Sequence, residues 1–422
     1  MSLIKKPVNG MKDILPAEKQ IRDYVQEVIR DTYVSYGFTP METPVVESLT
    51  NLLSKQGGDN EKLIFKILKR GEKLKIDTAK TDNDLADSGL RYDLTVPLVR
   101  YYACHKEELM TPFKALQMGY VFRADRPQRG RFRQFMQCDI DMFGVSDTSA
   151  EIELITATCD ALTRLTFRDF VVRINDRRLL KALASYAGFA DEVHDSVFIT
   201  LDKMDKIGSE GVQRELMENG GSPEGVDKLM ELFCRTADMT DEEAIRFLAE
   251  ALQDTLEAGV AESLLEIMET ANTLKTDAYR LQFDLTLVRG MGYYTGTIFE
   301  VAMPAFGGSC GGGGRYDKMV GKFTGQDVPA VGFSIGFERI VMLLLESGFT
   351  IPHARNKTCF LVEKGMSPQR MGEIMQEAAS RRKAGEDVLL VKMNKNKKFQ
   401  KEQLALAGFT EIEEYYKEGL RM

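Results

Sequence analysis

Two apolar runs on either side of residues 124–131 constrain this chain more than any other feature. FKALQMGYVFR and FRQFMQCDIDMFG each suit one long strand, and the loop between them is rich in arginine and glycine. Consecutive strands joined by so short a loop pair antiparallel, so the spacing predicts an antiparallel strand pair. Around it the pattern alternates between helix and strand. Residues 16–36 place Ile21, Tyr24, Val25, Val28, Ile29 and Tyr33 at helical spacing, with Gly37 where the helix stops. IFKILK and KLKID, either side of Arg70-Gly71-Glu72, predict a hairpin, followed by the polar insert TAKTDNDLADSG. Thr148 and Glu151 have capping-box spacing ahead of a helix.

Further along, residues 206–276 turn helical and acidic, with Ser222-Pro223 suited to a cap and first turn. LQFDLTLV and TIFEVAM return to strand character, and Gly307, Gly308 and Gly311 to Gly314 read as a loop. AVGFSIGFERIVMLLLES reads as a strand running into a helix, and the chain after Pro352 as a small βαβ-like unit.

Composition narrows the function. With 56 basic and 64 acidic residues among 422 the net charge is −8, which argues against indiscriminate binding to nucleic acid or anionic lipid. No apolar run approaches the roughly 18 residues of a membrane span, and the start, MSLIKKPVNGMKDILPAE, lacks the apolar stretch of a signal peptide. A cytoplasmic protein with no membrane association is expected. Six scattered cysteines without a CxxC pair and three histidines predict reduced thiols and no metal site.

The charge is not evenly spread. Arg123, Arg126, Arg129, Arg131 and Arg133 face a single acid, Asp125, a local balance of 5 − 1 = +4. Such a loop is either a solvated tip or a phosphate clamp, since guanidinium forks bind phosphate bidentately. Gln137 and Asp141, four apart, share one face of the following strand, and polar groups there need a ligand or a buried partner. Asp93 and Thr95 offer a carboxylate and a hydroxyl, either as an ammonium receptor or as a helix cap. LVRGMGYYTGTIFE contributes Arg289 with Tyr293 and Tyr294, and Arg315, Tyr316 and Asp317 follow the glycine run. Neither GxxxxGK[ST] nor a strand-linked GxGxxG occurs, so a nucleotide would have to be held by arginines, among them Arg339 in an otherwise apolar helix. Lys392, Lys395, Lys397, Lys398 and Lys401 form a second basic cluster, either a solvated face or an RNA contact.

In order along the chain, NGMKDILPAE, YGFTPMETPVVE, LRYDLTVPLVRYYA, FRADRPQRGRFRQFMQCDIDMFG, LVRGMGYYTGTIFE, GGGRYD and AVGFSIGFERIVMLL resemble the motif series of class II aminoacyl-tRNA synthetases, most closely the histidyl family. The resemblance implies the α+β class, with which the strand-rich reading agrees: an antiparallel sheet flanked by helices at 1–205 and 277–348, an inserted helical module at 206–276, and a small α/β domain at 354–422. It further implies activation of histidine with ATP, magnesium on the departing pyrophosphate, and transfer to the tRNA for histidine. It implies that Arg123 holds the α-phosphate and Arg339 the γ-phosphate, with Arg131 a further ATP contact and Phe132 stacked under adenine. Asp93, Thr95 and Gln137 are similar to the receptor for the α-amino group. Asp141 and Tyr294 are similar to the imidazole readers, with Tyr293 beside them and Tyr316 lining the pocket. Arg289 is similar to the arginine that bridges carboxylate and α-phosphate, so Arg123 and Arg289 are the expected catalytic pair. Gln128, with Arg129 beside it, lies where the family touches tRNA. The first motif implies a homodimer, and no editing domain is expected.

Two departures stand out: Asp141 replaces the glutamate of many bacterial members, and Gly292 replaces an acidic residue. Only 70 residues follow Pro352, 422 − 352, fewer than the family's anticodon-binding domain spans, which puts anticodon reading in question. A shortened tail also marks the catalytically silent paralogue that regulates ATP phosphoribosyltransferase. That alternative is expected to have lost several of the arginines.

Overall fold

In the computed structural model, residues 3–53, 61–288, 292–352 and 355–417 are described. The chain divides into two compact units, one of Met1–Ile14 and Arg22–Ser347, the other of Leu15–Ile21 and Gly348–Met422. Its strands, in chain order, are β1 Thr39–Pro40, β2 Val46–Ser48, β3 Lys66–Leu68, β4 Ala86–Leu90, β5 Phe113–Phe122, β6 Gln134–Phe143, β7 Phe170–Asp176, β8 Tyr279–Phe283, β9 Thr297–Met303, β10 Gly308–Arg315, β11 Ala330–Ile335, β12 Lys357–Val362, β13 Asp387–Lys392 and β14 Glu411–Tyr415.

The larger unit is built on an eight-stranded sheet in the order β1-β5-β6-β11-β10-β9-β7-β8. β5 and β6 pair antiparallel along their whole length, from Phe113 opposite Phe143 to Phe122 opposite Gln134, as the two apolar runs predict. Alternation then sorts the side chains of β6. Met136, Cys138, Ile140 and Met142 are buried on one face, and Gln137, Asp139 and Asp141 lie on the other. The helix Pro16–Ser35 buries Val25, Ile29 and Tyr33, and the Tyr33 hydroxyl lies 3.2 Å from that of Thr158 in the helix Ser149–Arg164. Arg22 on the same helix is almost wholly buried, which is tolerable because both its amino groups reach Glu338, at 2.6 and 2.8 Å. Between Met204 and Leu274 the chain forms four helices. Ser222 caps one of them by accepting from the Gly225 N–H, with Pro223 in its first turn.

Three readings are corrected. The hairpin around Arg70 does not form: Gly71–Lys73 and Ile76–Thr78 are single 3-10 turns, and β3 pairs instead with β4, within the supposed polar insert. Leu74 and Ile76 are not buried, whereas Gly89 on β4 admits Ile64 at 2.9 Å from where a Cβ would stand, closer than a Cβ would allow. Thr148 makes no capping bond; Asp147 accepts from the Ser149 N–H at 3.0 Å, while Glu151 turns inward to Arg315. The glycines 311–314 are not a loop but the interior of β10, paired with β9 and β11. A Cβ on Gly313 would lie 1.9 Å from the Gly332 carbonyl oxygen. The two backbones approach so closely that only glycine fits, and this overrides its poor strand propensity.

The smaller unit carries a parallel sheet in the order β13-β12-β14 with the helices Pro368–Lys383 and Lys397–Leu406, as the βαβ-like reading anticipates. Phe360, Val362, Ile374, Ala378, Val388 and Tyr415 form one of its cores. Two lysines of the basic cluster pair with one acid: Lys397 and Lys401 lie 2.8 and 2.6 Å from Glu414, and their bonds hold that carboxyl down at about 2. No helix among the described residues is long and apolar enough to cross a membrane.

Candidate active site

The polar face of β6 opens onto two cavities that share Arg123, Gln137, Gly312 and Ser334. The smaller, about 110 Å³, is lined by Asp93, Thr95, Gln137, Asp139, Asp141, Tyr293, Tyr294 and Tyr316. The larger, about 270 Å³, is lined by Arg123, Arg131, Phe132, Phe135 and Arg339. Every histidine-pocket and ATP residue expected from the sequence is thus brought to one of two adjoining spaces, except Arg289, which lies outside the described residues.

Local structure fixes each group. Asp93 and Thr95 are not on an extended segment, because Thr95 begins the helix Thr95–His105 and Asp93 caps it, Oδ1 accepting from the Val96 N–H at 3.0 Å. The buried Asp93 Oδ2 has no partner, and Asp93 lines the small cavity. Arg123 donates from Nε to the Tyr92 carbonyl at 2.9 Å and lies 5.1 Å over the Phe135 ring, which holds its guanidinium between the two spaces. Arg339 donates to the Ser309 carbonyl and stacks on Phe306. Tyr316 donates its hydroxyl to Asp141 Oδ1. Behind Tyr316, Glu151 receives Arg315 Nε and Nη2 at 2.6 and 2.7 Å, so a buried ion pair anchors the end of the glycine strand from which Tyr316 projects. Gly332 lies beneath Asp141; a Cβ there would stand 1.9 Å from Asp141 Oδ1.

The electrostatics of the small cavity are dominated by burial. Burial raises Tyr316 and Tyr293 well above the usual phenol range, with further raising from Asp141 for the first and from Tyr294 and Asp93 for the second, so both act as neutral hydroxyls. Asp139 is also raised well above the carboxylate range by burial, then by Asp141 and Asp93, while a hydrogen bond from Ser334 and the charge of Arg123 oppose the rise. Sequence reasoning missed Asp139 and Ser334. The signal was available, because Asp139 lies between Gln137 and Asp141 in the same two-residue alternation; Ser334 required the β6–β11 register that sets it opposite Asp139.

The arginine loop divides its labour. Arg133 binds the carbonyls of Asp125 and Asn9 and serves the loop's own structure, and Arg129 meets Glu346 at 2.8 Å and the Phe306 ring. Gln128 closes the turn by pairing its backbone with Arg131. Gln128, Arg126 and Arg131 are exposed. Among the described residues, no three His, Cys, Asp or Glu side chains come together to hold a metal ion.

Known proteins resemble this chain in sequence and fold. The profile of the histidyl-tRNA synthetase family matches residues 10–340. The histidine–tRNA ligase of Leifsonia xyli subsp. xyli is 43% identical over 412 residues, 96% of this chain and 93% of its own length. That of Bacteroides fragilis (strain YCH46) is 40% identical over 79% of this chain and 75% of its own. The crystal structure of histidyl-tRNA synthetase from Nostoc sp. PCC 7120 superposes with a TM-score of 0.80 at 28% identity, covering 98% of this chain and 91% of that one. A Bacillus halodurans C protein described as an ATP phosphoribosyltransferase regulatory subunit/histidyl-tRNA synthetase shares the fold alone, with a TM-score of 0.77 at 21% identity over 98% of both chains. On these grounds the chain belongs to the histidyl-tRNA synthetase family.

Proposed function

We propose that the chain is a histidine–tRNA ligase that activates histidine with ATP and transfers it to the 3′ end of its tRNA. One observation carries this reading: three buried acceptor atoms without partners, Asp93 Oδ2, Gln137 Oε1 and Asp139 Oδ1, surround a cavity that adjoins an arginine-lined one. Buried acceptors left open call for a donor-rich ligand, here the ammonium of an amino acid, and guanidinium groups next door suit the phosphates of a nucleotide. A sensor of histidine alone has no use for the second cavity, which weighs against the regulatory-subunit alternative.

The chemistry follows from charge. The histidine carboxylate is already an ionised nucleophile, so its attack on the α-phosphorus needs no general base. Pyrophosphate leaves, and the 3′-ribose hydroxyl of tRNA then attacks the adenylate carbonyl, releasing AMP. We assign Arg123, which lines both cavities, to the α-phosphate oxygens and Arg339 to the far phosphates; magnesium carried by the nucleotide would neutralise the departing pyrophosphate. We assign Arg289 the bridging role on its sequence context alone. Phe132 and Arg131 are assigned to adenine and phosphate, Asp141, Tyr294 and Tyr316 to imidazole, and Gln128 and Arg129 to tRNA. A homodimer through the edge strand β1 and its exposed neighbours Val45 and Val46, a cytoplasmic location, and an inserted module at 206–276 belong to the same reading. Histidine-dependent exchange of labelled pyrophosphate into ATP tests it, with Arg123→Ala as control. Exchange lowered at least about 100-fold in the control is expected, and wild-type exchange no greater than that of the control would overturn the ligase reading.

A further inference from the structure

We propose that Asp139 is a third acceptor for the α-ammonium group of the substrate and the residue that makes this pocket demand a free amino group. The assignment rests on the ligase reading of the site. Asp139 is 3% exposed, and its Oδ1 has no partner although it lines the small cavity. Ser334 stands opposite it on β11 and accepts from Gln137 Nε2 at 2.9 Å. Gln137 is thereby oriented with Oε1 open to the same space. An ammonium has three N–H donors and no acceptor, which matches three open acceptors. The shares are unequal. Asp93 has committed one oxygen to the helix cap and Gln137 carries no charge, so Asp139 is the acid not engaged by the backbone, and a bound ammonium favours the ionised form that burial alone disfavours. A ligand without the amino group would leave all three acceptors buried and unpaired, a stronger basis for rejection than shape alone.

Two ligands that differ only in that group read the assignment directly: histidinol and its desamino counterpart, 3-(imidazol-4-yl)propan-1-ol. In calorimetry on the full-length protein, wild type is expected to bind histidinol the more tightly. Asp139→Asn, which preserves shape and an acceptor for Ser334, is expected to weaken histidinol about 10-fold or more and to change the desamino affinity less than about 2-fold. Parallel weakening of both ligands would mean a structural role and overturn the proposal, as would an unchanged preference. Asp139→Ser is the second variant should the first fail to fold, with the same expected pattern. Wild type that binds histidinol yet catalyses no exchange would sink the ligase reading and leave Asp139 assigned. A preference unaltered by the substitution alongside intact exchange would do the reverse.

Discussion

Burial of the Asp139 carboxyl, with Asp141 and Asp93 near it, raises its proton affinity in the folded state. Above the ordinary carboxylate value of about 3.9, the unfolded chain has lost a proton that the native chain still holds. Stability therefore falls as pH rises from that value through the folded one, since the native state is the one that binds more protons. Asp139→Asn removes this burden. Its melting temperature in the absence of ligand should exceed that of wild type at pH 7 and the two should converge near pH 4, as calorimetry across that range would read; a gap independent of pH would contradict the argument. The same substitution weakens substrate binding, so this residue exchanges stability for recognition. The alternation with Gln137 and Asp141 marks the face Asp139 shares, but not how deeply that face is buried. Its burial depends on β5 and β11 covering it from both sides.

Glycine shows how the meaning of a residue is set by its element. Gly313 lies inside β10 with a neighbouring carbonyl oxygen 1.9 Å from where its Cβ would stand, and that oxygen belongs to backbone held on both sides. Gly372 lies inside the helix Pro368–Lys383 with nothing within 4 Å. One exchange should have opposite signs at the two sites. Gly313→Ala forces strands apart and should cost about 2 kcal/mol or more, whereas Gly372→Ala should add about 0.5–1 kcal/mol by stiffening the helix. Urea denaturation of each variant checks both signs. Elements whose periodicity was strong, such as β5, β6 and the helix Pro16–Ser35, were legible from the sequence. β10 was not, because a glycine strand has no side chains to alternate and its identity comes from pairing with β9 and β11 on either side. The hairpin reading failed for a related reason: pairing of β3 was decided by which partner offered a buried face.

Across the whole molecule, the net charge of −8 and the local +4 at 123–133 make opposite demands on RNA. The acidic body repels phosphate at long range, so attraction must come from a few guanidinium groups near the site. Of these, Arg129 is already engaged with Glu346 and Phe306; in the smaller unit the tail lysines Lys397 and Lys401 are paired with Glu414. The order of motifs along the chain revealed the class of fold and the arginine loop, but not these internal partners, which lie hundreds of residues away in the case of Glu346. Two consequences can be measured. Charging of tRNA should weaken with salt, log kcat/KM falling by about 0.7–0.9 per phosphate contacted for each tenfold rise, while pyrophosphate exchange, confined to recessed cavities, stays much flatter. Glu346→Gln frees Arg129 from an exposed ion pair worth at most about 1 kcal/mol, so the KM for tRNA should drop by about two- to three-fold with exchange unchanged. Equal salt slopes for the two reactions, or a rise in that KM, would mean that Arg129 and its loop hold the protein together rather than the RNA.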